Sequence, residues 1–167
     1  MSPQRQWLTG VNRWTTLGLG HKVGGSADND TFRIMRGAMM SEGTTAAEYS
    51  GEPVKYPSLQ VIDLAREAAA VTEEYRNQVL SRVNDSCLRL SVFQGKYRWH
   101  VHPGSDELFV VLEGAVVIEF KDGSSIRIGP LQAATVPAGV VHRTIGVGRT
   151  VNLCFEKSQA ETAFLDE

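Results

Sequence analysis

From Tyr56 onward the chain is patterned in short apolar runs broken by turn residues. Gln78–Val83 and Leu88–Phe93, with Asn84-Asp85 between them, predict strand, turn, strand. Beyond Gly95 the strand signal recurs over Arg98–His102, Glu107–Leu112, Ala115–Phe120, Ser125–Ile128, Ala134–Val136, His142–Ile145 and Thr150–Glu156. Pro103-Gly104, Gly114, Asp122-Gly123, Pro137-Ala-Gly139 and Gly146–Gly148 mark the turns between them. One short helix is expected ahead of the strands. Asp63-Leu-Ala-Arg-Glu-Ala-Ala-Ala consists of strong helix formers behind an Asp63 N-cap, and the helix should end near Thr72. Many short strands with Gly/Pro punctuation and one early helix define an all-β sandwich or barrel.

Residues 1–56 have a different texture. They are rich in Gly, Ser and Thr (Gly18-Leu-Gly20, Gly24-Gly-Ser26, Gly43-Thr-Thr45), with apolar pieces as short as Thr31-Phe-Arg-Ile-Met35. Such a segment buries no core of its own. It is expected to be an N-terminal arm lying on a barrel formed by residues 57–167, or on a partner subunit. At 167 residues, 42% hydrophobic and 22% charged, the chain has the size and composition of one soluble globular domain. A net charge of −2 with no Lys/Arg run excludes nucleic acid as the main partner. No apolar stretch reaches the length of a membrane span, and Met1-Ser-Pro-Gln-Arg-Gln-Trp-Leu8 has no secretory pattern, so a cytoplasmic location is expected. Cys87 and Cys154 are far apart, in no CxxC pair, and read as small buried hydrophobes rather than a disulfide. Cys154 lies in an expected strand and is a candidate for facing a pocket.

The chemistry concentrates in Trp99-His100-Val-His102-Pro-Gly-Ser-Asp-Glu107. Alternation along a strand puts His100 and His102 on one face, about 7 Å apart, where two imidazoles can take adjacent positions around one metal ion. The turn at Pro103–Asp106 reverses the chain and returns Glu107 beside them. Pro137-Ala-Gly139-Val-Val-His142 supplies a fourth candidate at the start of another strand. Three of the four histidines in the chain thus fall in two motifs with ligand-like spacing.

At these residues the chain resembles the cupin superfamily through both of its signature motifs. The first runs from Gly95 to Gly114 as His-x-His, four residues, Glu, six residues, Gly. Within the superfamily the chain resembles the small single-domain bacterial proteins of the cupin-2, mannose-6-phosphate-isomerase-like group. These share a short helix, an Asn-Asp turn, and runs like Trp99–His102 and Asp106–Phe109. The resemblance implies a double-stranded β-helix (jelly-roll) barrel with His100, His102, Glu107 and His142 as metal ligands. The chain departs from the pattern in three places. The Gly95-to-His100 spacing is one residue short. Leu131 stands where the second motif has a Gly, the nearby Gly129 being too far upstream. Gly146 replaces an Asn that often follows the last His.

An open His₃Glu set suits one divalent Fe, Mn, Ni, Zn, Co or Cu ion and leaves coordination positions for a small-molecule substrate. Continuing the alternation from His100 and His102 places Arg98 inward as a candidate anchor for a carboxylate or phosphate. Phe109 and Val111 share Glu107's face as apolar wall, and Thr144 shares that of His142. Tyr97 and Trp99 are expected to point outward, and exposed aromatics there predict a homodimer. Glu119 lies on a strand whose facing the pattern leaves open. Two functions fit: a metalloenzyme of oxygenase or isomerase/lyase type acting on a small polar organic molecule, or a non-catalytic metal-dependent ligand-binding module or sensor.

Overall fold

The computed structural model describes residues 51–166; the expected arm lies outside the described residues except for its last six. Among the described residues, α1 (Leu64–Ala69) is followed by nine strands. They are β1 (Tyr75–Val83), β2 (Ser86–Lys96), β3 (His100–Val101), β4 (Glu107–Glu113), β5 (Val116–Phe120), β6 (Ser125–Ile128), β7 (Ala133–Val136), β8 (His142–Lys157) and β9 (Ala163–Phe164). Every ladder is antiparallel, and the strands form one curled sheet.

Local chemistry sets the element ends. Asp63 caps α1 as expected, its carboxylate accepting the Arg66 N–H at 3.0 Å. The helix stops at Ala69, short of Thr72. Asn84 adopts a left-handed φ of 57° in the two-residue β1–β2 turn, which matches the twist of a tight hairpin. The expected strand over 98–102 is reduced to the two residues of β3, because β2 runs to Lys96 and residues 97–99 then leave the ladder.

The separate strands expected over 142–145 and 150–156 are one 16-residue strand, β8. Gly146 and Gly148 bend this strand without ending it. Gly148 takes φ +68°, and a Cβ on Gly146 would meet the Phe93 ring and carbonyl at 3.0 Å. The first part of β8 pairs with β5, the second with β4, and β2 runs along both. β3 joins at His142. Four neighbours thus share one strand.

The wall formed by β1, β2 and β8 carries its main apolar face outward. On β2, Leu88, Leu90 and Val92 meet Leu80, Val151 and Leu153 in a cluster covered by Ala68 and Leu64 of α1. The alternate positions Arg89, Ser91 and Phe93 face inward, as do Asn152, Cys154 and Glu156 of β8. A second cluster lies inside the curl, built on Phe93, Phe109, Val111, Ile118, Val136 and Cys154. Residues just before 57 already belong to this body. Lys55 and Tyr56 pair their N–H groups with the carbonyls of Val79 and Leu80. Both side chains also reach the buried Glu67 of α1, and their hydrogen bonds hold its carboxyl below the ordinary range.

Gly114 shows how tightly the turns are fitted. Its φ is +74°, and a Cβ there would lie 2.5 Å from the Arg149 carbonyl oxygen. Gly114→Ala is expected to destabilise the protein by about 2–4 kcal/mol, combining left-handed strain with a backbone clash. The control Gly104→Ala, with open space around the new methyl, should leave the urea midpoint nearly unchanged.

Candidate metal centre

Three short stretches bring the ligand candidates together. His100 on β3 stands directly opposite His142, the first residue of β8, and their ring centres are 4.3 Å apart. His102 follows β3 with its ring centre 5.2 Å from that of His100. The chain then turns through Pro103–Asp106, and Glu107 opens β4. Two contacts tie this turn to the one before His142: Ala138 N–H donates to the Asp106 carboxylate at 2.8 Å, and Gly139 N–H to the His102 carbonyl at 3.0 Å.

The three imidazoles converge on one carboxylate oxygen of Glu107. Glu107 Oε2 lies 3.3 Å from His102 Nε2, 3.3 Å from His142 Nε2 and 3.9 Å from His100 Nε2. All four residues are buried. One ligand atom each from His100, His102 and Glu107 falls within 4.8 Å of the others, the span of a shared coordination sphere. The opposite ring nitrogens are all engaged. His100 Nδ1 meets the Arg98 carbonyl at 2.9 Å and His142 Nδ1 the Val140 carbonyl at 3.0 Å. His102 Nδ1 lies 3.2 Å from both the Glu161 carbonyl and the Thr162 hydroxyl.

A carbonyl only accepts, so these contacts favour a proton on Nδ1, and in that tautomer each Nε2 turns a lone pair toward Glu107. Lone pairs and a carboxylate then attract one another only through a shared cation. The donor set therefore fits a divalent ion, with the backbone orienting each imidazole from behind. Burial pushes the Glu107 carboxyl up, but imidazole N–H groups donating to it outweigh that and hold it well below the carboxylate range, so protons and a metal ion compete for the same Nε2 positions. Burial keeps His100 down, whereas at His102 the Glu107 carboxylate outweighs burial and raises the imidazole.

A small cavity, with about 40 Å³ of room for the centres of water molecules, opens beside this cluster. Phe109, Thr144 and Cys154 line it, as the alternation predicts. Burial and the neighbouring Glu107 carboxylate push the Cys154 thiol well up, so it stays protonated. Val111 is fully buried in the inner apolar cluster rather than at the cavity wall.

Arg98 and Tyr97 exchange the places assigned to them. Arg98 is exposed, and its guanidinium stacks 4.2 Å from the centre of the Phe164 ring, outside the cavity lining. Tyr97 turns inward, edge-on to His100 and stacked on Tyr75 at 5.4 Å. The cause is the break after Lys96: three residues off the ladder reset the alternation. Trp99 does point outward, but half-buried between Lys121 and Arg143 at 4.3 and 4.6 Å. Glu119 faces the same outer side, paired with Arg143 at 2.7 Å. The exposed aromatic pair that suggested self-association is therefore not exposed.

Several lining residues escaped the sequence reading. Tyr75, Asn77, Ser91, Asn152 and Thr162 reach the cavity. Behind the site lies a buried ion pair, Arg89 Nε to Glu156 Oε1 at 2.6 Å, with Glu52 at 3.0 Å from the same guanidinium. Glu156 Oε2 comes within 3.8 Å of His102 Nε2. Inward phase on β2 and β8 was the available signal, since Arg89, Ser91, Asn152 and Glu156 are polar residues interrupting apolar strands.

Residues 92–155 match the family described as Cupin domain. A Bacillus subtilis (strain 168) protein, "Uncharacterized protein YdbB", is 50% identical over 100 residues, covering 60% of this chain and 88% of its own. Among solved structures, a cupin-2 domain containing protein from Shewanella frigidimarina is 26% identical, with a TM-score of 0.55 over 58% of this chain and 94% of that one. Protein NMB1881 from Neisseria meningitidis is 28% identical, with a TM-score of 0.55 over 59% and 99% of the two chains. The curled sheet is thus the double-stranded β-helix.

The ion pair behind His102 yields a stability test. Arg89→Ala strips the guanidinium from a buried carboxylate and should destabilise by about 3–5 kcal/mol. In the double variant Arg89→Met/Glu156→Gln, which removes both charges, urea denaturation should show a clearly smaller loss.

Proposed function

The chain belongs to the cupin superfamily, as a small member of the cupin-2 type, and from that premise we propose that it acts on a small polar organic molecule at a metal centre. His100, His102, Glu107 and His142 hold one divalent ion. The observation that carries this reading is the orientation of the three imidazoles, each with Nδ1 against a backbone carbonyl and Nε2 aimed at Glu107. When bound, such an ion supplies Lewis-acid polarisation or redox electrons for oxygenase or isomerase/lyase chemistry. The chain's own part is to exclude water and hold the substrate. Phe93 and Phe109 form the apolar side of the cavity, and Thr144, Ser91 and the two tyrosines offer hydroxyls.

One observation favours the second reading, a ligand-binding module or sensor. Apart from His100, His102 and Glu107, the described lining residues are uncharged, with no further carboxylate, imidazole or amine. Burial pushes Tyr75 and Tyr97 up, so both hold their protons. Chemistry here rests on the ion and on neutral donors.

Protein purified without chelator should carry about one divalent ion per chain by elemental analysis. His142→Ala should lose most of it. Loading the wild type should raise its melting temperature, since an ion at 100 times its dissociation constant adds about 2.7 kcal/mol. The variant should show no such shift. Affinity should fall as pH drops through the imidazole range, because protons compete for the Nε2 lone pairs. Absence of metal from wild-type protein after supplementation with Fe, Mn, Ni, Co, Zn and Cu sinks the proposal. A bound ligand recovered unchanged from loaded protein selects the sensor reading over the enzyme.

A further inference from the structure

The cavity wall away from the metal ligands carries a row of neutral polar side chains. Asn77 of β1 pairs in register with Ser91 of β2, and Ser91 with Asn152 of β8. All three line the cavity. Strand spacing puts the two asparagines about 10 Å apart at the backbone, with Ser91 between them.

The hydrogen-bond directions along this row are uneven. Asn152 Nδ2 donates to Cys154 Sγ at 3.0 Å. The amide oxygens of both asparagines are left over. Asn77 Oδ1 and Asn152 Oδ1 are both buried with no hydrogen-bond partner among the described residues, and Asn152 is 1% exposed overall. A buried acceptor without a donor costs about 1–3 kcal/mol. Two of them in one cavity wall mark a place where donors are meant to arrive.

Charge narrows the class further. With Arg98 turned outward, no Lys or Arg among the described residues lines the cavity. A phosphate or a second carboxylate would be buried there without a partner. A divalent ion with the Glu107 carboxylate leaves a net single positive charge, enough for one anionic oxygen and no more.

We propose that the site takes a small molecule, uncharged or carrying one negative charge at its metal-binding edge, that presents N–H or O–H donors to Asn77 and Asn152 at its far edge. The inference rests on the metal reading above. It excludes phosphorylated compounds and dicarboxylates as ligands, and it assigns the asparagines a specificity role independent of ion binding.

Two probes isolate the donor requirement. Maltol chelates divalent ions through a hydroxyketone edge. Its pyridinone analogue keeps that edge and replaces the ring oxygen opposite with N–H. The Co(II)-loaded full chain is titrated with each, reading the visible d–d bands, and the ratio of dissociation constants is referenced to that for free Co(II). The wild type should favour the N–H probe by about tenfold or more, as one satisfied buried acceptor implies. The single N–H satisfies one of the two oxygens, so one of Asn152→Leu and Asn77→Leu should bring the ratio toward one and the other should leave it, both with Co(II) affinity unchanged. If Asn152→Leu fails to fold, the smaller Asn152→Ala replaces it; Asn77 is only half-buried and tolerates its substitution more readily. A wild-type ratio near one, or a preference surviving both substitutions, overturns the inference and leaves the metal centre standing. Failure of Co(II) to bind overturns the metal reading itself and this inference with it.

Discussion

Three imidazole lone pairs and a carboxylate are pointed at the same small volume, and the surrounding fold holds them there. Left to themselves these groups repel or protonate. They stay aimed because each ring is gripped from behind by a carbonyl fixed in the backbone: Arg98 before β3, Val140 before β8, and Glu161 before β9. Those carbonyls lie on three separate segments, so the site is only as well defined as the ladders joining them. β3 contributes two residues, yet it pairs with both β8 and β9 and sets the register of the whole cluster.

The interior holds the ligand candidates beside an apolar cluster built on Phe93, Phe109, Val111, Ile118 and Val136. A second apolar cluster lies outside the wall, under α1, where Leu80, Leu90 and Val92 are almost completely buried. With apolar packing on both sides, the interior phase of β2 and β8 can carry Arg89, Ser91, Asn152 and Glu156. This arrangement explains how a small domain tolerates so many buried polar groups.

Three of the four ligand candidates were legible because their spacing is local: two histidines one residue apart, a turn rich in Gly and Pro, and a Glu opening the next strand need no knowledge of long-range pairing. His142, 35 residues beyond Glu107, was legible through the second motif, Pro137–His142. The Asp63 cap and the Asn84 turn were legible because they too are local. The pocket was legible only where alternation ran unbroken, as at Phe109 and Thr144. It failed at Arg98 and Tyr97, because a three-residue departure from the ladder inverts phase and leaves no mark in composition. Gly146–Gly148 read as a turn because glycine serves both to end strands and to bend them. Leu131, standing where the second motif has glycine, takes φ 62° all the same and is exposed, so the substitution is absorbed at the surface. The asparagine row is carried by residues 77, 91 and 152, which become neighbours only once three strands are paired.

The sharing of β8 among four partners also orders events in time. β1 and β2 form a hairpin whose contacts are local, and it can close early. β4 and β5 must wait for residues 22 to 47 positions further along before either meets β8. Loop closure over such separations is slow compared with hairpin formation. The ligand-bearing ends of β3 and β4 therefore exist as chemically competent but unassembled segments until β8 docks, and assembly of the site coincides with closure of the sheet.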